Sequence, residues 1–223
     1  MKALVTVNYS NFMAANTRAS MLAAAARWGC DFWEMNEQTL PKWPDRAPNA
    51  MKTTVFRTGA YEEMIIVDAD TIISACCPNP FEEFPDEQEF IAVRDRSPYE
   101  CQQSSWSRHV TKRPDLNSPL DSARYFNTGM FVVRRKAHEE MMNFACDICR
   151  EDFGCSWSDQ TPINLAAILK GVKVKLVDER WNFLAVQRFA QFMEIGHHPE
   201  GPYILHGAGD PDRIHWLHTV KWQ

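Results

Sequence analysis

Long hydrophobic runs are absent from this sequence. No stretch approaches the roughly 18 apolar residues that a membrane-spanning helix requires, so we predict no membrane span. The opening residues, MKALVTVNYSNF, contain one lysine but no apolar core of the about 7–15 residues typical of a secretory signal. We therefore expect a protein without a secretory leader.

A surplus of basic residues is also missing. The chain has 24 Lys and Arg against 29 Asp and Glu, which gives a formal net charge of -5. Nucleic acids and anionic membranes favour basic surfaces, so we expect neither as a partner. The acidic balance suits a site that depends on a cation.

The cysteines do not form a disulfide-framework pattern, since their number, seven in 223 residues, is odd. A reducing compartment is the simpler expectation, and we predict a cytoplasmic location. No internal repeat, low-complexity tract or convincing linker interrupts the chain, which predicts one domain over residues 1–223. The patterns of a P-loop, a dinucleotide fingerprint and a Ser-His-Asp triad are missing as well.

Strand and helix patterns alternate along the chain and predict an α/β fold with a largely parallel sheet. Apolar, β-branched runs predict strands at 2–7, 30–35, 64–67, 90–93, 125–133, 172–177 and 203–205. Helices are predicted from a cap at residue 16 or 17 to residue 28, and over 50–61, 136–152 and 158–169. Residues 95–124 have mixed charge and little periodicity, which predicts a long loop or lid.

The strongest local motif is Asp68-Ala69-Asp70, directly after the apolar run 64–67. Acids that follow a buried strand lie at the carboxyl edge of the sheet, where α/β proteins bind ligands. The two carboxylates can hold a divalent cation, with substrate phosphates and water at its other positions. The alternative is two exposed acids that begin a turn.

The same motif has a second enzymatic interpretation, the aspartyl nucleophile of haloacid-dehalogenase-like phosphatases. That motif places Thr or Val two positions after the second acid, whereas here Thr71 follows Asp70 at once and Ile72 occupies the expected position. The fit to the phosphatase pattern is therefore poor.

A second motif, His206-Gly207-Ala208-Gly209, follows a short apolar run near the end of the sequence. A neutral imidazole is a good third ligand for a Mn²⁺-like cation, and glycines let backbone amides approach a diphosphate. A histidine beside glycine is also common as a capping or packing residue.

Taken together, the motifs resemble a known family in their order and spacing. The matching features are Lys52, Tyr61, VDADT at 67–71, Asp95, FNTGMFV at 126–132, Asp159-Gln160, Trp181-Asn182 and HGAG at 206–209. This order resembles the family 8 glycosyltransferases, the group of glycogenin and the bacterial lipopolysaccharide galactosyltransferases.

The resemblance implies the GT-A nucleotide-diphospho-sugar transferase fold, a Rossmann-like mixed central sheet flanked by helices. It implies transfer of a hexose from a nucleoside-diphosphate sugar, UDP-linked, with retention of the anomeric configuration. The implied cofactor is Mn²⁺ or Mg²⁺. The acceptor is open: a glycan, a protein or a lipid-linked glycan.

The resemblance also implies roles for single residues. It makes Asp68, Asp70 and His206 the metal ligands. It implies that the donor nucleotide is bound by residues of the opening loop, a basic residue, the metal motif and the final glycine. These residues are Thr6, Val7, Asn8, Tyr9, Lys52, Asp68, Ala69, Asp70 and Gly209. It implies that polar catalytic residues surround the transferred sugar. These residues are Asp95, Asn127, Asp159 and Gln160.

One departure from the family pattern concerns the leaving diphosphate. Three positions past Gly209 the family has a lysine, where this sequence has Asp212 followed by Arg213. A shift of one residue lets Arg213 serve as the cation. The missing lysine also keeps a second function class open, a non-catalytic module that binds a sugar nucleotide or glycan. A phosphatase or nucleotidyltransferase that uses the same acids is the third.

Overall fold

The fold is described from a computed structural model. It covers residues 1–8, 13, 15–36, 48–150, 159–184 and 202–207. Within these ranges, no helix has both the length and the apolar character that crossing a bilayer demands.

The centre of the molecule is a mixed sheet of six strands in the order β2-β1-β3-β6-β5-β7. Its strands are β1 (Lys2–Val7), β2 (Asp31–Met35), β3 (Glu63–Asp68), β5 (Glu89–Arg94), β6 (Phe126–Arg134) and β7 (Lys173–Val177). β1 pairs in parallel with β2 and β3, and β5 pairs in parallel with β7. β6 runs antiparallel to both of its neighbours, β3 and β5. The predicted α/β class with a mixed central sheet is confirmed.

Short strands form a second sheet beside the first, in the order β4-β9-β8. They are β4 (Thr71–Ile73), β8 (Phe183–Leu184) and β9 (Ile204–His206). β4 begins three residues after the end of β3, so this small sheet borders the carboxyl end of the central one. The sequence predicted β9, one residue early, but neither β4 nor β8.

Helices cover both faces of the central sheet and complete a three-layer arrangement. They are α1 (Ala15–Trp28), α2 (Val55–Thr58), α3 (Pro80–Glu83), α4 (Tyr99–Lys112), α5 (Arg135–Cys149) and α6 (Gln160–Leu169). The described residues also contain three 3₁₀ segments, Pro48–Thr54, Pro114–Leu116 and Glu179–Asn182. One apolar core packs α5 and α6 onto one sheet face, and a second packs α1 onto the other.

The alternation of buried residues explains how one sheet fills two cores. In β3, Met64 and Ile66 face the α5 side, whereas Ile65 and Val67 face the α1 side. All four side chains are fully buried, so the run has no polar alternation. This is the pattern of a strand covered on both faces.

The prediction of a loop over residues 95–124 is wrong. Residues Tyr99–Lys112 form α4, whose buried residues are Gln102, Ser105, Trp106 and His109. These positions have helical spacing, but three of the four side chains are polar. A search for apolar periodicity therefore overlooks this helix.

Other boundaries differ by smaller amounts. The helix predicted over 50–61 is a 3₁₀ segment, Pro48–Thr54, followed by one turn of α-helix that ends at Thr58. The hydroxyls of Thr53 and Thr54 bond to carbonyls three residues earlier. α1 begins at Ala15, so the predicted caps at residues 16 and 17 lie inside it.

Candidate functional site

The candidate site lies where β1, β3 and β5 end, at the carboxyl edge of the central sheet. Val7 of β1 pairs with Asp68 of β3, which puts the opening strand next to the predicted metal motif. Asp95 directly follows β5, and Gln160 begins α6. Residues that are far apart in sequence therefore meet at one edge, as expected for an α/β fold.

Asp68, Asp70 and His206 form one cluster. Asp68 ends β3, Asp70 lies in the turn into β4, and β9 pairs antiparallel with β4 so that His206 is opposite Thr71. The amide of Gly207 donates to the carbonyl of Asp70 at 2.9 Å, which fixes the two motifs against each other.

The side-chain geometry of this cluster fits a divalent cation. His206 Nε2 lies 3.3 Å from Asp68 Oδ2 and 3.3 Å from Asp70 Oδ1. One ligand atom from each residue can be chosen so that all lie within 4.8 Å of one another. Two carboxylate oxygens and one imidazole nitrogen are a donor set that suits Mn²⁺.

The charges in the cluster depend on one another. Burial disfavours the imidazolium, but Asp70 and Asp68 outweigh it and raise the pKa of His206 to about 10. Burial likewise disfavours the Asp68 carboxylate, yet Lys52 and His206 hold its pKa below the usual range. Without a metal, the protonated His206 ring therefore lies between the two acids at neutral pH, and Lys52 supplies a second positive charge beside Asp68.

Lys52 is fully surrounded by protein groups. Its ammonium lies 2.5 Å from Asp68 Oδ1 and 3.0 Å from Asp159 Oδ2. It also donates to the carbonyl of Thr128 at 3.0 Å. Three N–H donors thus meet three acceptors. Burial opposes its charge, but Asp159 and Asp68 raise its pKa.

The predicted sugar-binding residues also come together. Gln160 Nε2 donates to Asp95 Oδ2 at 2.7 Å, and Asn127 Nδ2 donates to Gln160 Oε1 at 3.1 Å. Asp159 precedes Gln160 and joins this group to the metal cluster through Lys52. Burial raises the pKa of Asp159, and Lys52 counteracts part of that effect.

An irregularity in β6 brings Asn127 and its neighbours into the site. Ala92 of β5 pairs with Phe131, whereas the next residue, Val93, pairs with Asn127. Bulges of this kind redirect side chains and are common next to active sites. Here the hydroxyl of Thr128, one residue along, donates to Asp159 Oδ2 at 2.7 Å.

The predicted nucleotide loop is described as far as Asn8. Thr6 and Val7 are buried in β1, and Ala69 is buried between the two acids. Asn8 Nδ2 donates to Glu34 Oε1 at 2.7 Å, and Asn8 Oδ1 accepts from the amide of Met13 at 2.9 Å. Tyr9, Gly209 and Arg213 lie outside the described residues.

Sequence reasoning assigned no role to several residues that contact this site. Thr128, Gly129 and Asn182 lie within motifs that carried the family resemblance, so the motifs themselves were a signal for them. Glu34 had no such signal. Its contact with Asn8 depends on the pairing of β1 with β2, which puts Thr6 opposite Glu34.

The sheet order, the mixed pairing and the flanking helices match the GT-A fold of solved glycosyltransferases. No model of a known protein family matches the sequence, and no curated protein matches it. The comparison with solved structures supplies the fold assignment.

Solved glycosyltransferases are similar to this chain in structure over nearly its whole length. One, involved in the glycosylation of the major capsid of PBCV-1, has a TM-score of 0.61 at 11% identity, covering 97% of this chain and 98% of the other. Mouse xyloside xylosyltransferase 1 has a TM-score of 0.56 at 11% identity, covering 94% and 98%.

The galactosyltransferase LgtC, solved with donor and acceptor sugar analogues, has a TM-score of 0.52 at 13% identity and covers 96% of this chain and 94% of its own. At these identities the similarity shows the fold. The narrower resemblance to family 8 remains a prediction.

Proposed function

We propose that this protein is a metal-dependent glycosyltransferase that moves a hexose from a nucleoside-diphosphate sugar, UDP-linked, to a hydroxyl of a glycan, protein or lipid-linked acceptor. One observation carries the proposal. The Asp68–Asp70–His206 cluster lies beside a second, hydrogen-bonded group of polar side chains, and Lys52 joins the two through Asp68 and Asp159.

The metal cluster would hold Mn²⁺ or Mg²⁺ through Asp68, Asp70 and His206. When bound, such an ion stabilises the negative charge that develops on a leaving diphosphate. Lys52 keeps Asp68 ionised and fixes its Oδ1, which leaves Oδ2 directed toward His206. The protein thus holds the ligands in place before any ion arrives.

The second group suits the sugar end of a donor. Breaking a glycosyl–phosphate bond leaves positive charge on the sugar carbon, which nearby carboxylate and amide oxygens stabilise. Asp95 and Asp159 supply the carboxylates, and Asn127 and Gln160 supply the amides. Hydrogen bonds join Asn127, Gln160 and Asp95, and Lys52 and Thr128 donate to Asp159. These bonds fix the orientation of the group in advance, which lowers the cost of binding a transition state.

Gln160 is suited to orienting the sugar and is a feeble nucleophile. Both ends of its side-chain amide are bonded, Oε1 to Asn127 and Nε2 to Asp95. We therefore propose transfer with retention, as the family resemblance implies, without assigning a covalent intermediate. The opening loop at Thr6, Val7 and Asn8 would receive the nucleobase at the other end of the donor.

The first test is titration calorimetry with UDP, ADP, GDP and CDP, each with and without Mn²⁺. We expect micromolar binding of UDP that requires the metal. Asp70→Asn should abolish the metal-dependent part. The matched control is Asp86→Asn, which changes a half-buried acid before β5, at the end of that strand opposite the site, and should leave binding unchanged.

Binding is then separated from catalysis by following UDP release from UDP-hexoses in the presence of Mn²⁺. Release by the wild type, and none by Asp70→Asn, supports the transferase. Binding without any release supports a module that binds the donor but does not transfer it. Absence of binding by every nucleotide contradicts both, and phosphate release from simple phosphate esters would favour the phosphatase.

A further inference from the structure

Asn182 lies behind the metal cluster and contacts its histidine. It ends the 3₁₀ segment Glu179–Asn182 and is buried. Its Oδ1 is 3.0 Å from His206 Nδ1, and its Nδ2 donates to Asn127 Oδ1 at 2.8 Å. Asn182 therefore bonds at one end to a predicted metal ligand and at the other to a predicted sugar-binding residue.

A line of hydrogen bonds continues from Asn182 through Asn127 and Gln160 to Asp95. Every contact in the line joins a donor to an acceptor, and each amide accepts at its oxygen and donates at its nitrogen. The direction of one bond therefore fixes the direction of the next, so the line is polarised as a whole.

The far end of the line sets that direction. An ionised carboxylate such as Asp95 can only accept hydrogen bonds. Its two oxygens already accept from the amide and the hydroxyl of Ser97. Gln160 must therefore present its Nε2 to Asp95 and its Oε1 to Asn127, which forces Asn127 to donate toward Gln160.

A backbone group fixes the direction independently in the middle of the line. The amide of Gly129 donates to Asn127 Oδ1 at 2.7 Å. A backbone N–H cannot exchange donor for acceptor, so the atom of Asn127 beside it must be the oxygen. Asn182 must then present Nδ2 to Asn127 and Oδ1 to His206, the arrangement that Asp95 dictates from the other end.

We propose that Asn182 is a positioning residue that holds a hydrogen on His206 Nδ1 and so keeps Nε2 as the metal-binding nitrogen. Through Asn127 and Gln160 it joins the metal ligand to the sugar-binding groups as one unit. The inference rests on the proposed function, because it takes Asp68, Asp70 and His206 as the metal site. Partners of this kind on a ligating histidine usually affect metal affinity by about 10–100-fold.

Two substitutions separate this role from simple packing. Asn182→Leu keeps the size of the side chain but removes its acceptor. Asn182→Asp keeps the acceptor for His206 Nδ1 and loses the donor to Asn127. We expect Asn182→Leu to weaken Mn²⁺ and Cd²⁺ binding by about 10–100-fold, and Asn182→Asp to bind both ions no more weakly than the wild type.

The tautomer itself is read by nitrogen NMR of ¹⁵N-histidine-labelled protein with and without Cd²⁺, with the His206 signals assigned from His206→Gln. In the wild type, Cd²⁺ should be on Nε2 and a slowly exchanging proton on Nδ1. That proton should persist in Asn182→Asp and exchange rapidly in Asn182→Leu. Cd²⁺ bound through Nδ1, or unchanged affinity and proton exchange in Asn182→Leu, would overturn the inference.

Two controls keep the test decisive. If Asn182→Leu does not fold, Asn182→Asp decides alone, and loss of its Nδ1 proton or a 10-fold loss of its metal affinity contradicts the proposal. If the wild type binds neither ion, the proposed function fails. The metal-free spectra then test the Asn182 contact separately: the protonated ring should keep a slowly exchanging Nδ1 proton in the wild type and a rapidly exchanging one in Asn182→Leu, and equal exchange in both would overturn the inference.

Discussion

The ring of His206 occupies the space where a side chain on residue 129 would begin. A Cβ built on Gly129 would lie 2.3 Å from His206 Cε1 and 2.4 Å from His206 Nδ1. The same atom would lie 2.9 Å from Asn127 Oδ1. Glycine at this position of β6 thus makes room for the proposed metal ligand His206, which comes from β9.

Gly129→Ala should push His206 out of the cluster, because the methyl group and the ring cannot share this space. We expect Mn²⁺ affinity to fall at least about 10-fold, measured by calorimetry. Gly29→Ala is the matched control. Gly29 has a φ of 63° at the end of α1 and no atom near its Cβ. Its alanine variant should lose about 1 kcal/mol of stability and keep its metal affinity. Equal affinity in both variants would contradict the prediction.

Lys52→Met should destabilise the fold strongly, since it leaves the Asp68 and Asp159 carboxylates without their shared cation. Breaking a buried ion pair from one side typically costs about 3–5 kcal/mol. Urea unfolding measures the loss, and Asp159→Asn added to Lys52→Met should restore part of it. A double variant no more stable than Lys52→Met would show that Asp159 contributes little to the effect.

His138 should make stability depend on pH well away from the site. Burial lowers its pKa from 6.5 to about 4, and its Nδ1 accepts from the amide of Arg134. The unfolded chain takes up this proton as the pH falls below 6.5, while the folded protein does not. Stability should therefore decline between pH 6.5 and 4, by about 3 kcal/mol from this residue. Above pH 6.5 both states are neutral, and the contribution is constant.

The check is urea unfolding of the wild type and His138→Gln across pH 4 to 7. Glutamine keeps an acceptor for the Arg134 amide but does not titrate. The difference between the two curves isolates His138 from the carboxylates that also titrate in this range. If the free energy of unfolding changed with pH by the same amount in both proteins, the lowered pKa of His138 would be contradicted.

Mn²⁺ should stabilise the folded protein, since Asp70 and His206 are held together only when the chain is folded. At a free concentration of 100 times its dissociation constant, an ion that binds the folded state alone adds about 2.7 kcal/mol. The wild type should therefore melt at a higher temperature with Mn²⁺, whereas Asp70→Asn should not respond. A response of equal size in Asp70→Asn would place the ion elsewhere.

Much of the fold could be predicted because its central strands are strongly apolar. β1 has its predicted bounds, and β3 extends the predicted run by one residue at each end. The motif at Asp68 and Asp70 was recognisable because acids directly after a buried strand fall at a known edge of the sheet. That His206 lies beside this motif was predicted only from the family resemblance, since the sequence between them gives no local sign of the contact.

The parts that were missed depend on tertiary contacts. The buried positions of α4 include Gln102, Ser105 and His109, whose polar side chains bond within the protein and hide the helical period. Strands of two or three residues, such as β4 and β8, have too little sequence to show alternation. Lys52 was assigned to the donor by resemblance alone, because its burial between Asp68 and Asp159 depends on tertiary contacts.

The pairing of β4 with β9 has a consequence for how the cluster assembles. His206 follows Asp70 by 136 residues, yet it is placed by a strand of three residues that must find its partner across the molecule. A local peptide around the two acids lacks the nitrogen ligand. A ribosome-bound chain halted before residue 204 has the acids but not the third ligand. We therefore expect tight Mn²⁺ binding only after β9 has paired with β4, so that metal affinity would report the formation of this long-range pairing.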